Sequence, residues 1–271
     1  MKQKVIRRWH VFLTAFAAVL LVTAPVRVSA EELKDGYDET GAVYYVVEDD
    51  ARVKAEGIVK IGQEYLYFEK GVLQTEANGL KQISDDESFE LYYLEQGKAV
   101  LSTWKTVKEK KGSFRYYFGK DGRAYKADSF AGMRTTKVVV KKVAGVKYGF
   151  DENGHMAKGL WSTDSKLVYF HKKTGVYNAK ASKKYQKAVK RGKKSVNIPK
   201  ELKKTLGKPK KIKSTASCNP FDLDADNTID SDTLNRYKGY NYIYKNIVVS
   251  LTQNKKTGVY YVDGAGPIDL D

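Results

Sequence analysis

Three sets of side chains in this sequence have the types and spacing to bind something. The first is aromatic: Trp104, Tyr116, Tyr117, Tyr148, Trp161 and Tyr169, with Met156 among them, recur in short runs. An aromatic face attracts a cation, and it also stacks on the apolar face of a sugar ring. The second is cationic: Lys183, Lys184, Lys187, Lys190, Arg191, Lys193 and Lys194 fall close together. Such a block is either a solvated linker or a surface for a polyanion. The third is acidic: Asp222, Asp224, Asp226 and Asp230, with the Thr228 carbonyl, put oxygens where a hard cation could take them. His155 and His171 are the only histidines after position 30. Neither has further ligands at metal spacing, so both read as solvated turn residues.

Catalytic patterns are missing. The sequence has no nucleophile elbow, phosphate loop, His-Glu-x-x-His site or paired histidines. A glycosidase needs two positioned carboxylates, but no segment of catalytic size remains once the repeats are assigned. The expectation is a protein that is not an enzyme.

The elements that must position the aromatics are short strands between glycine turns. In Tyr148-Gly149-Phe150-Asp151-Glu152-Asn153-Gly154-His155-Met156-Ala157-Lys158-Gly159-Leu160-Trp161, alternating aromatics precede Asn-Gly. That dipeptide predicts a type I′ hairpin turn, which needs positive φ at both central residues. Weaker copies run through Tyr65–Leu73, Leu91–Ala99, Phe114–Ala124 and Leu167–Tyr177, with turn glycines at 71, 97, 122, 154 and 175. Units this small cannot each bury a face alone and must stack.

The aromatic–aromatic–Phe–Asp–x–x–Gly–x–Met–x–x–Gly pattern resembles the cell-wall-binding repeats of choline-binding and glucan-binding proteins. The match is fullest at Tyr148–Trp161, partial at Tyr116–Ala124 and Tyr67–Leu73, and covers residues 41 to 180. The resemblance implies a β-solenoid whose hairpins offer aromatic cages for choline or platforms for sugar. It departs from the family where Gly-Trp should open each unit: Trp104 follows Thr103, and Leu160 fills the second position with Trp161 one later. A one-residue slip turns a side chain to the opposite strand face. The tyrosines can equally fill the thin core and coat the strands.

Between Ser182 and Ser214 there are 14 Lys and Arg against the single acid Glu201. Ser182–Gly192 can form a short helix stopped by glycine, and Pro199–Gly207 a second with proline in its first turn. Strand patterns follow at Tyr237–Tyr244, Ile247–Leu251 and Val259–Val262, the last two joined by a turn at Asn254–Gly258. This suggests a small α+β domain, similar in its Leu206-Gly207-Lys208-Pro209, Ser217-Cys218 and Tyr242–Val249 runs to a domain of exported Firmicute proteins. Cys218 would then be a core residue. The Asp222–Thr233 run resembles an EF-hand or dockerin loop, which would make calcium a cofactor, although position twelve is Thr233 rather than an acid. An acidic surface loop is the alternative.

Lys2, Lys4, Arg7 and Arg8 before an apolar run from Val11 to Ala24, then Val28-Ser29-Ala30, form a signal peptide over 1–30. The run is too short for a membrane span. Beyond it, 44 basic residues face 32 acidic ones. An exported basic chain meets anionic wall polymer or lipid surfaces rather than nucleic acid. The expected order is a polar leader over 31–40, a β-hairpin solenoid over 41–180, a Lys-rich linker over 181–198 and a small α+β domain over 199–271. The expected function is that of a secreted protein retained at a Gram-positive cell wall, binding teichoic acid, choline or glucan. The alternative is a scaffold whose repeats space a C-terminal protein-interaction domain, stabilised by calcium.

Overall fold

A computed structural model of the chain describes residues 33–84, 89–128, 134–215 and 235–270. Residues 1–30, Cys218 and the Asp222–Thr233 run lie outside these residues. β1 (Gly36–Tyr37), β2 (Tyr44–Glu48) and β3 (Ala51–Lys54) form a small sheet. Five hairpins follow: β4 (Gly57–Ile61) and β5 (Glu64–Glu69), trailed by short β6 (Val72–Leu73); β7 (Gly79–Ser84) and β8 (Phe89–Glu95), trailed by β9 (Lys98–Ala99); β10 (Thr103–Glu109) and β11 (Gly112–Phe118); β12 (Val138–Val143) and β13 (Val146–Asp151); β14 (Gly159–Ser162) and β15 (Leu167–Phe170). The fold is mainly β, as the alternating aromatics require.

Each hairpin places a side chain no more than 1% exposed at the end of its second strand or one residue before it: Phe68, Leu94, Phe118, Phe150 and Phe170. The chain then turns at a glycine and runs back beside that strand. The return segment also bonds to the preceding hairpin, and this is what stacks the units. Leu66 pairs with Lys98, Tyr92 bridges Arg123, Met156 N–H donates to Arg115 O at 2.7 Å, and Tyr148 bridges Val176. The short third segment is thus the mortar of the array, satisfying backbone groups on two sides.

The Asn153-Gly154 turn is not type I′. Gly154 has φ of 81° but Asn153 does not enter the left-handed region, Gly154 N–H donates to Asp151 O at 3.0 Å, and Asp151 N–H donates to His155 O at 3.1 Å. This is a type I turn closed by a bulge at glycine. Asp151 Oδ1 stabilises it by accepting from the N–H groups of Asn153 and His155, at 3.0 and 2.9 Å. The paired positive φ values occur one residue earlier in shorter turns, at Lys70-Gly71 (52° and 81°) and Gln96-Gly97 (53° and 76°). The partner of β13 is also upstream: it pairs along its length with β12 and touches the downstream run through the Phe150–Met156 bridge.

Residues 181–198 are built into secondary structure. They hold most of α1 (Ala179–Ala188) and β16 (Lys194–Ser195), and α2 (Ile198–Leu206) follows directly. Asn178 Oδ1 caps α1 by accepting from Ala181 N–H at 2.9 Å, which satisfies one of its free N-terminal donors. The inner face is Ser182, Tyr185, Gln186 and Val189, at helical spacing. Ser182 Oγ accepts from Tyr169 N–H at 2.9 Å, and Gln186 Nε2 donates to Leu167 O at 2.7 Å. A run that looks uniformly basic therefore carries a one-sided docking face onto β15.

β17 (Lys211–Thr215), β18 (Tyr237–Ile243), β19 (Val248–Asn254) and β20 (Tyr260–Gly266) complete an antiparallel sheet in the order β16-β20-β19-β18-β17. Its core joins Ile198 and Leu202 of α2 to Val249, Leu251 and Val262, and it also takes in Leu167 of the last hairpin. Leu160, which stands where the resembled family has tryptophan, packs against this same core. Polar contacts reinforce the join: Thr136 Oγ1 donates to Asn246 O at 2.8 Å, and Asn246 Nδ2 donates to Leu160 O at 3.2 Å.

Candidate functional site

The stacking of the third and fourth hairpins brings Trp104, Tyr117, Tyr148 and Met156 into one cluster with Phe150 and Tyr125. Trp104 lies directly across the ladder from Tyr117, their rings edge to face at 5.1 Å, and Tyr148 meets the indole at 5.0 Å. Arg115, two residues before Tyr117 on the same strand face, lays its guanidinium 4.4 Å from the Trp104 ring centroid. The aromatic group that could hold a cation already holds one of the chain's own.

Three of the expected platform residues lie elsewhere. Tyr116 points to the other face of β11 and is 1% exposed, so it cannot serve as an open ring. Strand alternation, which sends neighbours to opposite faces, is the reason. Tyr169 stacks on Tyr185 of α1 at 5.5 Å. Trp161 opens onto a separate groove. Met156 is buried and contributes a wall rather than a free surface.

His155 is not a solvated turn residue. Its ring stacks on Phe114 at 3.9 Å between centroids, with Tyr116 edge-on at 5.3 Å. Nε2 lies 3.1 Å from Glu109 Oε1, and Nδ1 lies 3.3 Å from Asp151 Oδ2. Burial disfavours the charged imidazole, but the bonds and charges of Asp151 and then Glu109 outweigh it and raise the pKa. Glu109 also accepts from the Tyr116 hydroxyl, whose pKa is pushed up by burial and by that bond. The bulged turn is what swings His155 back onto β10 and β11. Asp at the start of the turn with His four residues on was the available signal. His171, by contrast, is exposed in its turn.

A groove opens on each side of His155. One, of about 790 Å³, has Leu80, Phe89, Leu91 and Tyr116 in its lining, with Lys108, Lys110, Lys111 and Arg134 around them. The other, of about 500 Å³, lies between β11, the connection from β13 to β14, and the β18–β19 turn. Arg115, Lys158, Lys245, Met156, Trp161 and Asn246 line it together with Asp151.

The cationic set lies on and beyond α1. Lys183, Lys184 and Lys187, with Lys180, occupy the helix face opposite the docking residues, and all four are exposed. Lys190, Arg191 and Lys194 continue the exposed charge. Arg191 also faces Asp263, whose carboxyl pKa burial raises despite the nearby guanidinium. Lys193 differs, being half-buried and ion-paired with Glu201. Among the described residues no group of three metal-ligating side chains occurs; the Asp222, Asp224, Asp226, Thr228 and Asp230 set lies outside them.

No family model and no curated protein matches the chain. Solved structures do match. The modular autolysin LytC from Streptococcus pneumoniae is 22% identical, with 54% of this chain covering 28% of that one at a TM-score of 0.30. Choline binding protein F from the same organism is 17% identical, with 54% covering 41% at a TM-score of 0.30. CbpJ from the same organism is 16% identical, with 54% covering 46% at a TM-score of 0.31. The chain spans less than half the length of each, and likeness at this level assigns neither ligand nor activity.

Proposed function

We propose that this is an exported, non-catalytic protein held at the cell wall by an anionic polymer of the teichoic-acid kind. The proposed arrangement is a hairpin array over 41–180 carrying a basic C-terminal module. The observation that carries this reading is the exposed lysine face of α1. Lys180, Lys183, Lys184 and Lys187 stand on one side of a helix whose other side is pinned to β15. Successive turns of a helix are about 5.4 Å apart, so the stripe presents fixed, repeated charge to a polymer with repeated phosphates. Attraction of this kind raises local concentration and weakens with salt.

The occupied Trp104 face speaks against choline as the retained group, and the basic rims of both grooves fit an anionic polymer better than a neutral glucan. The scaffold alternative gains nothing from the fold, because the C-terminal module sits on the last hairpin rather than at a distance from it. Co-sedimentation of the chain with purified walls tests the reading. Release by salt and not by choline is the expected result; no retention at low salt would sink it.

A further inference from the structure

We propose that the groove shared by the hairpin array and the C-terminal module binds a sugar carrying an oxyanion, either phosphate or carboxylate. The inference deepens the wall-polymer reading, on which its choice of ligand class rests, but it concerns a different surface from the α1 stripe. The groove holds about 500 Å³, within the range of small-ligand sites.

Three cations from three separate elements line it: Arg115 of β11, Lys158 before β14, and Lys245 in the β18–β19 turn. None of them has a carboxylate at ion-pair distance among the described residues. Like charges brought together by folding repel one another, and a bound anion relieves that cost. The one acidic side chain in the lining, Asp151, is already engaged: two backbone N–H groups bond its Oδ1, and the His155 imidazole, 16% exposed, meets its Oδ2. With three cations against that one carboxylate, the net charge of the lining is positive.

The remaining lining suits a sugar ring. Trp161 is half-buried, with its indole N–H donating to Lys158 O at 3.0 Å, which fixes the ring against the wall. Met156 shares the lining, and Thr106 and Ser113 bring hydroxyls. A flat apolar surface with hydroxyls and cations around it is what an acidic sugar requires. Asn246 is held rigid by its bonds to Leu160 and Thr136, so the module's share of the wall is fixed by docking. The one-residue displacement of tryptophan acquires a reason here: Leu160 goes to the module's core and Trp161 is left facing the groove.

The test titrates the full chain, without its signal segment, with glucose 1-phosphate, glucuronic acid and glucose, followed by the Trp161 indole N–H resonance. At least one charged sugar should bind and saturate that shift, with glucose roughly tenfold weaker or worse, the worth of one charge-assisted hydrogen bond. The tighter of the two charged probes identifies the oxyanion. Lys245→Gln and Lys158→Gln, both at exposed positions, should each weaken binding by about tenfold with unchanged melting. A triple Lys183→Gln, Lys184→Gln, Lys187→Gln chain should bind the probes as before even as it leaves the wall, which separates this site from the retention reading. Equal binding of all three sugars, no saturable shift, or indifference to Lys245→Gln in a folded chain would overturn the proposal.

Discussion

The guanidinium of Arg115 lies 4.4 Å from the centre of the Trp104 ring. Tyr117 and Tyr148 meet the same indole edge to face, so a cluster with the composition of a cation cage has its cation built in. Arg115→Ala should cost about 1 kcal/mol of stability from the lost contact. The native chain titrated with choline should show no saturable change in tryptophan emission, whereas the Arg115→Ala chain should show one. Saturable choline binding by the native chain would mean that the ring is open.

Gly149 is required by a close approach. A Cβ there would sit 2.3 Å from Cζ of Phe170, an atom of a ring that is itself fully buried. Gly149→Ala should lose about 1–3 kcal/mol in denaturant melts, the cost of forcing an extra carbon into a filled core. Gly264→Ala, where nothing lies within 4 Å, should stay within about 0.5 kcal/mol of the native chain. Equal effects at both sites would deny the contact.

His155 makes stability depend on pH in a stated direction. Its folded pKa is raised above the ordinary 6.5 by Asp151 and Glu109 in spite of burial. The folded form therefore holds the proton more tightly than the unfolded chain. The contribution is complete below about pH 6.5 and disappears as pH rises through the raised folded value. Urea melts across this window should show stability falling with pH, and His155→Gln should flatten that slope. A slope unchanged in the variant would place the titrating group elsewhere.

Leu167, 1% exposed, belongs both to the last hairpin and to the core of the C-terminal sheet. Leu167→Ala should cost about 2–5 kcal/mol. Amide exchange should quicken in β19 and β20 as well as in β15. Faster exchange confined to β14 and β15 would show that hairpin and module are independent.

Much of the fold could be read from the sequence, because the array depends on period-two aromatics and glycine turns, both local signals. Phe68, Phe118, Phe150 and Phe170 mark their strands, and Pro199 and Gly207 bracket α2 closely. Other features depend on distances in space that the sequence does not carry. The turn at Asn153-Gly154 changed type because it has one residue more than the turn at Lys70-Gly71. The docking face of α1 was hidden because Ser182, Tyr185 and Gln186 look like ordinary linker residues until β15 lies beneath them. The burial of His155 needed the third and fourth hairpins to stack, and the groove behind Trp161 needed Lys245, more than eighty residues away.

Fixed positive charge on α1, rather than an aromatic cage, is proposed to hold the chain on the wall. The most direct measurement compares native chain with the Lys183→Gln, Lys184→Gln, Lys187→Gln chain on purified walls across a salt series, with choline added at each step. Native retention should fall steeply with salt and ignore choline, and the triple variant should be released at markedly lower salt. Release of the native chain by choline at low salt, with the triple variant retained as well as native, would contradict it.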